Sequence, residues 1–326
     1  MNLGIIGLGS MGQNHVRVAK DVAGSVAVFD TDKARIDAMV AKYGAKPYYD
    51  YGAMLRDKEI DAVVIVTPTN THMKIASEAI DAGKHVLCEK PVADDVGEAQ
   101  KVVDKAKAQG ITFAVGHIER HNPAVGYAKK NLDSGQFGDV ISLSSRRVSS
   151  LPGRIRDVGC ILDIGIHDID TMNYLAGKPE SVYCAAGTKT KGISVEDHAN
   201  LLINYKNGIT ASIEVSWLTP MKVRKLWLTC DKAYVEMDYM DQTLTISTSS
   251  LPSYDPGNLF NIPLEVNAQR IALRKQEPLK NEVVDFIEAI KNRRRPLVTG
   301  DDAILNVRVA KAAIESYKKG KEVMVE

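Results

Sequence analysis

The 326-residue sequence has no surplus of either charge: 42 Lys and Arg stand against 41 Asp and Glu. Polyanion binders carry a clear basic excess, so no nucleic-acid partner is expected. No apolar run approaches the roughly 18 residues of a spanning helix, so no membrane partner is expected either. Strand-like sequence begins at Leu3, and no signal segment is expected. Cysteine is scarce. Cys88, Cys160, Cys184 and Cys230 lie far apart without a C-x-x-C, which argues against a zinc or other metal site and for reduced, buried thiols in a cytoplasmic protein. Internal repeats and low-complexity tracts are also missing. What is there is ordinary globular composition, 44% hydrophobic and 25% charged, with length enough for two domains.

The first 120 residues alternate short apolar runs, at 3–6, 26–29, 62–66, 85–88 and 112–115, with helical stretches. The runs are rich in Val and Ile, as strands buried on both faces are. The spacing predicts a helix from Asp94 to Gln109, with Ala99, Val102, Val103 and Ala106 on one face and Gly110 as its stop. Strand and helix in alternation predict an α/β fold with a doubly wound parallel sheet. After about residue 121 the pattern changes to period two, at 138–148, 199–206, 209–218, 223–230 and 233–239. Ala211, Ile213, Val215 and Trp217 share one face of such a strand. Turns such as Lys206-Asn207-Gly208 join these segments. A large, mainly antiparallel open sheet is expected, with helices near 122–134 and 163–176, a long loop at 249–263 and two closing helices. The expected domains are therefore 1–121 and 122–326.

The string Gly7-Leu-Gly-Ser-Met-Gly12 follows the first strand and opens a helix. Gly7 permits a tight turn, Gly9 lets the backbone approach a pyrophosphate, and Gly12 allows close helix–strand packing. Ser10 and Met11 complete the loop. The helix N-terminus offers N–H groups to phosphates. Asp30 ends the second strand, 21 positions after Gly9, where a carboxylate accepts hydrogen bonds from the adenosine ribose. It repels a 2′-phosphate and favours NAD over NADP; Lys33 and Arg35 weaken that preference.

Two strings carry candidate chemistry. His85-Val-Leu-Cys-Glu-Lys-Pro91 ends the fifth apolar run, so Glu89 and Lys90 fall at the carboxyl edge where ligands of open α/β sheets sit. Pro91 holds Lys90 extended and permits a cis bond, and an ammonium there could lower the barrier to deprotonating a hydroxyl. Read alone, the string also fits a polar strand end. In Leu162-Asp-Ile-Gly-Ile-His-Asp-Ile-Asp170, Asp163 and His167 are four apart and share a helix face. The imidazole suits acid–base work, with Asp163 orienting it or holding a sugar hydroxyl. A capping aspartate and a core histidine are the competing account. Thr67, Pro68, Asn70 and His72 follow the run 62–66 and are candidates for the nicotinamide ribose, or form only a loop and a cap. Arg154 and Arg156 could clamp a substrate diphosphate; read alone, they fit a solvated loop better. Arg293-Arg294-Arg295 reads as complementing a helix end.

These strings, in this order and spacing, resemble the Gfo/Idh/MocA oxidoreductase family. The resemblance covers essentially the whole chain. It implies a Rossmann domain, a C-terminal α/β domain with an open antiparallel sheet, pyridine-nucleotide redox chemistry on sugars or cyclitols, and catalytic roles for Lys90, Asp163 and His167. It further implies that the helix near 302–319 packs back on the nucleotide domain and that the chain forms a homodimer or homotetramer through the open sheet. GHIERHNP at 116–123, with Arg120 and Asn122 as candidate substrate contacts, and SSRRVSSLPGRIRDVG at 144–159 resemble the members that oxidise UDP-N-acetylglucosamine at its 3-hydroxyl. His121 departs from that string, where phenylalanine is usual. A free-polyol substrate such as inositol or glucose, a tightly held NAD recycled within the reaction, and an NAD-binding sensor without turnover are the alternatives.

Overall fold

Val, Ile and Ala dominate the short runs of the N-terminal part, and the runs form parallel strands covered on both faces. In the computed structural model, which describes residues 1–151, 158–250 and 265–325, these are β1 (Asn2–Ile6), β2 (Ser25–Phe29), β3 (Lys46–Pro47), β4 (Ala62–Ile65), β5 (His85–Cys88) and β6 (Phe113–Val115). Their order is β3-β2-β1-β4-β5-β6, and each pairs its neighbour in parallel. The sequence predicts five of the six; β3 is only two residues long and leaves no period to read. The helices between them are α1 (Ser10–Val22), α2 (Lys33–Tyr43), α3 (Tyr51–Arg56), α4 (Thr69–Asp81) and α5 (Val96–Ala108). α5 starts two residues later than the periodicity predicts because the Asp95 carboxylate caps it, accepting the Glu98 N–H at 2.7 Å. Its predicted face, Ala99, Val102, Val103 and Ala106, is buried.

The chain divides into two compact units. The first comprises Met1–His121 and Gln276–Arg308, the second Asn122–Lys275 and Val309–Glu326. The helix Pro278–Lys291 and the first turns of the helix Gly300–Lys319 therefore belong to the first unit, where the sequence reading counts 276–301 with the second. Val283, Phe286 and Ile287 join Leu3, Val16 and Val26 in the core of the first unit.

The second unit is built on nine strands: β7 (Val140–Ser150), β8 (Pro179–Gly187), β9 (His198–Tyr205), β10 (Thr210–Ser216), β11 (Leu218–Cys230), β12 (Tyr234–Asp238), β13 (Thr243–Ser250), β14 (Glu265–Ala272) and β15 (Val323–Met324). Their order is β14-β13-β12-β11-β7-β10-β9-β8-β15. All pairings are antiparallel except β7 with β10. Register sets the two faces. Cys184, Leu201, Ile213, Leu226, Met237 and Leu244 form one buried row that runs through Ser145. The adjacent row carries Tyr183, Leu202, Ser212, Ser144 and Trp227 to the other face, where Tyr183 and Leu202 are exposed. Helices α6 (Pro123–Asp133) and α7 (Ile166–Ala176) belong to this unit. Of the long loop expected at 249–263, Ser249 and Ser250 belong to β13, and 251–264 lie outside the described residues.

Asn122 opens the second unit. Its Oδ1 accepts the Ala124 N–H at 3.1 Å and caps α6, while its Nδ2 donates to the Tyr239 carbonyl at 2.9 Å. Truncation removes a cap and strands a buried carbonyl. Asn122→Ala is expected to destabilise this unit by about 1–3 kcal/mol. Urea unfolding followed by circular dichroism measures it; an unaltered transition would remove Asn122 from this structural role.

Candidate active site

The order of the first sheet reverses between β1 and β4, and ligands of open parallel sheets lie outside the carboxyl ends of strands at such a reversal. The glycine loop leaves β1 there. Gly7 has φ +98°, and a Cβ on it would stand 2.5 Å from the Val66 carbonyl oxygen. A Cβ on Gly12 would stand 1.9 Å from the Gly7 oxygen, so helix and strand touch backbone to backbone. Gly9 differs: an added Cβ meets nothing within 4 Å. That open space lies beside the first turn of α1, which has no side-chain cap and no acidic residue, leaving its N–H groups and positive dipole end for an anion. Ser10 is exposed and Met11 partly so. Asp30 Oδ2 accepts the Leu8 N–H at 2.6 Å and Oδ1 the Asp32 N–H at 2.8 Å. Oδ1 also lies 3.5 Å from the Thr31 hydroxyl, while Oδ2 accepts the one hydrogen bond from Leu8 and keeps a lone pair for a further donor. Arg35 lies 3.7 Å from the same carboxylate. An open cradle, an uncapped helix start and an acid at the end of β2 fit the pyrophosphate and ribose of a dinucleotide.

The ends of β4 and β5 complete this edge. Thr67 is partly exposed, and Pro68 and Asn70 are exposed. The Thr71 hydroxyl lies 2.7 Å from both the Thr67 hydroxyl and the Pro68 carbonyl. His72, read from the sequence as a candidate cofactor contact, is instead buried. Its ring nitrogens face the Thr67 and Pro91 carbonyls at 2.9 and 3.1 Å, so it ties the two loops together from beneath. Burial pushes its pKa below the usual imidazole value, against the pull of those carbonyls. Glu89 is likewise turned inward: Oε1 accepts from His15 Nε2 at 2.9 Å and Oε2 accepts the Lys90 N–H at 3.1 Å. Burial drives its carboxyl up, but the His15 hydrogen bond and the charges of His15 and Lys90 outweigh it and hold the pKa below the ordinary carboxylate value. Lys90 is partly exposed, and the Lys90–Pro91 peptide is cis.

In the second unit Asp163 and His167 lie on two kinds of helix. Residues Ile161–Gly165 form a π-turn that runs into α7, where the sequence predicts one regular helix from 163. The segment is seated by Glu196, whose Oε1 accepts the Ile161 N–H at 3.2 Å and whose carbonyl accepts the Cys160 N–H at 2.9 Å. A Cβ on Gly159 would stand 1.9 Å from Glu196 Oε1, so a larger residue there would push this carboxylate off the turn it seats. Asp163 donates its N–H to the Gly159 carbonyl at 3.0 Å and is not the terminal cap. Both Asp163 and His167 are half-buried, and π-turns within helices concentrate at functional sites.

Sequence reasoning missed Arg147 and Asp168. Arg147 Nε donates to Asp168 Oδ2 at 2.5 Å, both side chains are buried, and the guanidinium lies 5.1 Å from the centre of the Tyr239 ring. The inward parity of Arg147 along β7, shared with Leu143 and Ser145, is the signal that could have found it. Arg120, a candidate substrate contact, is buried in the first unit beside the Leu297 carbonyl at 3.3 Å and the Asp302 carboxylate at 3.5 Å. Asn122 spends both ends of its amide on α6 and Tyr239. Packing accounts for both. Arg154 and Arg156 lie outside the described residues. The four cysteines are free and buried, and burial pushes the Cys184 thiol up to about 12 and that of Cys230 to about 11.

A doubly wound sheet with a glycine loop at its switch point and an acid at the end of its second strand is the pattern of a nicotinamide-dependent α/β oxidoreductase. Comparison narrows this. Residues 1–117 match the family described as oxidoreductase family, NAD-binding Rossmann fold, and residues 125–236 match the GFO/IDH/MocA C-terminal domain. The chain is 30% identical to UDP-N-acetylglucosamine 3-dehydrogenase of Acidithiobacillus ferrooxidans over 97% of its length and 96% of that protein's. It is 28% identical to scyllo-inositol 2-dehydrogenase (NAD(+)) of Bacillus subtilis, over 99% and 95%. A solved structure of the Acidithiobacillus ferrooxidans enzyme superposes with a TM-score of 0.87 at 27% identity, covering 98% of both chains. The chain belongs to the Gfo/Idh/MocA oxidoreductase family: it is an NAD-binding oxidoreductase of the class that acts on CH–OH donors.

The two glycines make separable predictions. Gly9→Ala is expected to leave the melting temperature of the NAD-free protein unchanged and to weaken NAD binding by about tenfold, ~1.4 kcal/mol. Gly12→Ala is expected to lower the melting temperature itself. Calorimetric titration with parallel melts reads both; equal melts for the two variants would contradict the assignment.

Proposed function

We propose that this protein oxidises the 3-hydroxyl of UDP-N-acetylglucosamine with NAD. The observation that carries the substrate is the 30% identity, over nearly the whole of both chains, to an enzyme of that activity. The likeness to a scyllo-inositol dehydrogenase over equal length supports a second reading, a free cyclitol. The two are separated by a panel of UDP-N-acetylglucosamine, scyllo-inositol, myo-inositol and glucose, followed by NADH absorbance. Turnover of the cyclitols alone would discard the nucleotide sugar.

The residue roles follow from charge and proton bookkeeping. His167 accepts the proton of the reacting hydroxyl. The Lys90 ammonium stabilises the negative charge growing on that oxygen. Asp163 holds the sugar or orients the imidazole. NAD, when bound, supplies the acceptor for the hydride that leaves the carbinol carbon. Asp30 sets the preference for NAD over NADP by receiving the ribose hydroxyls where a phosphate would be repelled. The exposed Tyr183 and Leu202 on the outer sheet face support assembly into a homodimer or homotetramer through that face, and four buried free thiols suit the cytoplasm.

Lys90→Ala and His167→Ala are each expected to lower turnover by a factor on the order of 10²–10⁴ while NAD still binds. Full activity in both would end this assignment. Asp30→Asn keeps an acceptor for the Leu8 N–H and removes the charge; the ratio of NAD to NADP efficiency is expected to fall, and steady-state kinetics with each nucleotide measure it.

A further inference from the structure

His15 has no place in the roles above, yet it is completely buried and spends its Nε2–H on Glu89. It sits on α1, one turn beyond the glycine loop. Glu89 is the residue before Lys90, and its second oxygen accepts the Lys90 N–H. Its own N–H is fixed to the Ile65 carbonyl at 3.0 Å. Gly116 backs the carboxylate so closely that a Cβ there would stand 3.2 Å from it. Glu282, on the helix Pro278–Lys291, places a further buried carboxylate oxygen within 4.8 Å of His15 and Glu89. Three elements of the first unit thus meet at one buried polar point, with the lysine backbone hung from it. A buried imidazole–carboxylate bond in a low-dielectric surrounding holds its partners firmly.

We propose that His15 is a positioning residue: acting through Glu89, it holds Lys90 at a fixed distance from the helix that receives the pyrophosphate. The tie makes lysine placement depend on α1, and displacement of a reacting group by about 1 Å costs on the order of 10²-fold in rate. The proposal rests on the assignment of Lys90 to the reacting oxygen.

The test compares wild type with His15→Ala, His15→Gln, Lys90→Ala and the His15→Ala/Lys90→Ala double variant, using NAD with UDP-N-acetylglucosamine and, in parallel, myo-inositol. Circular dichroism melts establish that each variant folds. His15→Ala is expected to lower kcat on the order of 10–100-fold, with KM and calorimetric NAD affinity little changed. His15→Gln, which keeps a donor, recovers part of the loss. In the Lys90→Ala background the histidine substitution is expected to cost almost nothing more, because groups acting as a unit are not additive. A second readout needs no turnover: the rate of acetic anhydride labelling at Lys90, followed by mass spectrometry, changes severalfold in His15→Ala while the other lysines keep their rates. Losses that multiply in the double variant, or a Lys90 labelling rate equal to wild type, overturn the positioning role. If Lys90→Ala retains turnover, it is the assignment of Lys90 that fails, and the labelling rates still decide whether His15 holds the lysine.

Discussion

The closest constraint in the first unit is the approach of Gly12 to the Gly7 carbonyl, where no Cβ can be accommodated. It seats α1 against the end of β1, with Val66, just after β4, beside it. With the helix at that depth its first turn opens over the ends of the strands, Leu8 can donate to Asp30, and His15 comes within hydrogen-bond reach of Glu89. A helix held an ångström further out would lose the bond from His15 to Glu89. The glycine loop, the Leu8–Asp30 bond and the His15–Glu89 bond thus all flank this one contact between two glycines five residues apart.

The second unit solves a different problem, that of presenting polar groups from a helix packed on an apolar sheet. The Arg147–Asp168 pair is buried, and such a pair adds little net stability compared with apolar residues of the same shape. It does tie α7 to β7 at the residue next to His167. The π-turn before it widens the first coil, and Glu196 and Gly159 hold that widened turn in place. Asp163 and His167 thus owe their presentation to groups on β7 and on the segment preceding β9.

Much of the fold is legible in the sequence because its signals are local. Strands buried on both faces read as unbroken Val and Ile runs, and β10 reads as strict alternation. The helix near 163–176 is legible in existence but not in kind, because its π-turn depends on Glu196, some thirty positions further on. Gly7 and Gly12 are legible because backbone approach forbids a side chain at each, and Asp30 because it stands at the end of the second strand. Arg120, Asn122 and His72 are misleading for one shared reason. A polar residue in a polar string looks available, and only the packed structure reveals that Asp302, Tyr239 or the Pro91 carbonyl already engages it. His15 and Arg147 escape notice from the opposite side, as polar residues within apolar helical and strand patterns whose partners lie 74 and 21 positions away.

The parallel pairing of β7 with β10 bears on how the chain comes to be folded. β7 is central, with β10 on one side and β11 on the other, and its contact with β10 bridges 68 positions of sequence. During synthesis the central strand therefore emerges long before either neighbour exists, with unpaired edges on both sides and an apolar face uncovered. Such long-range pairing is slow because loop closure must precede any reward, and an unpaired strand is open to association with other nascent chains. The serines and arginines from Ser144 to Arg147 interrupt the apolar character of that strand, the kind of pattern that lowers the tendency of an unpaired strand to associate.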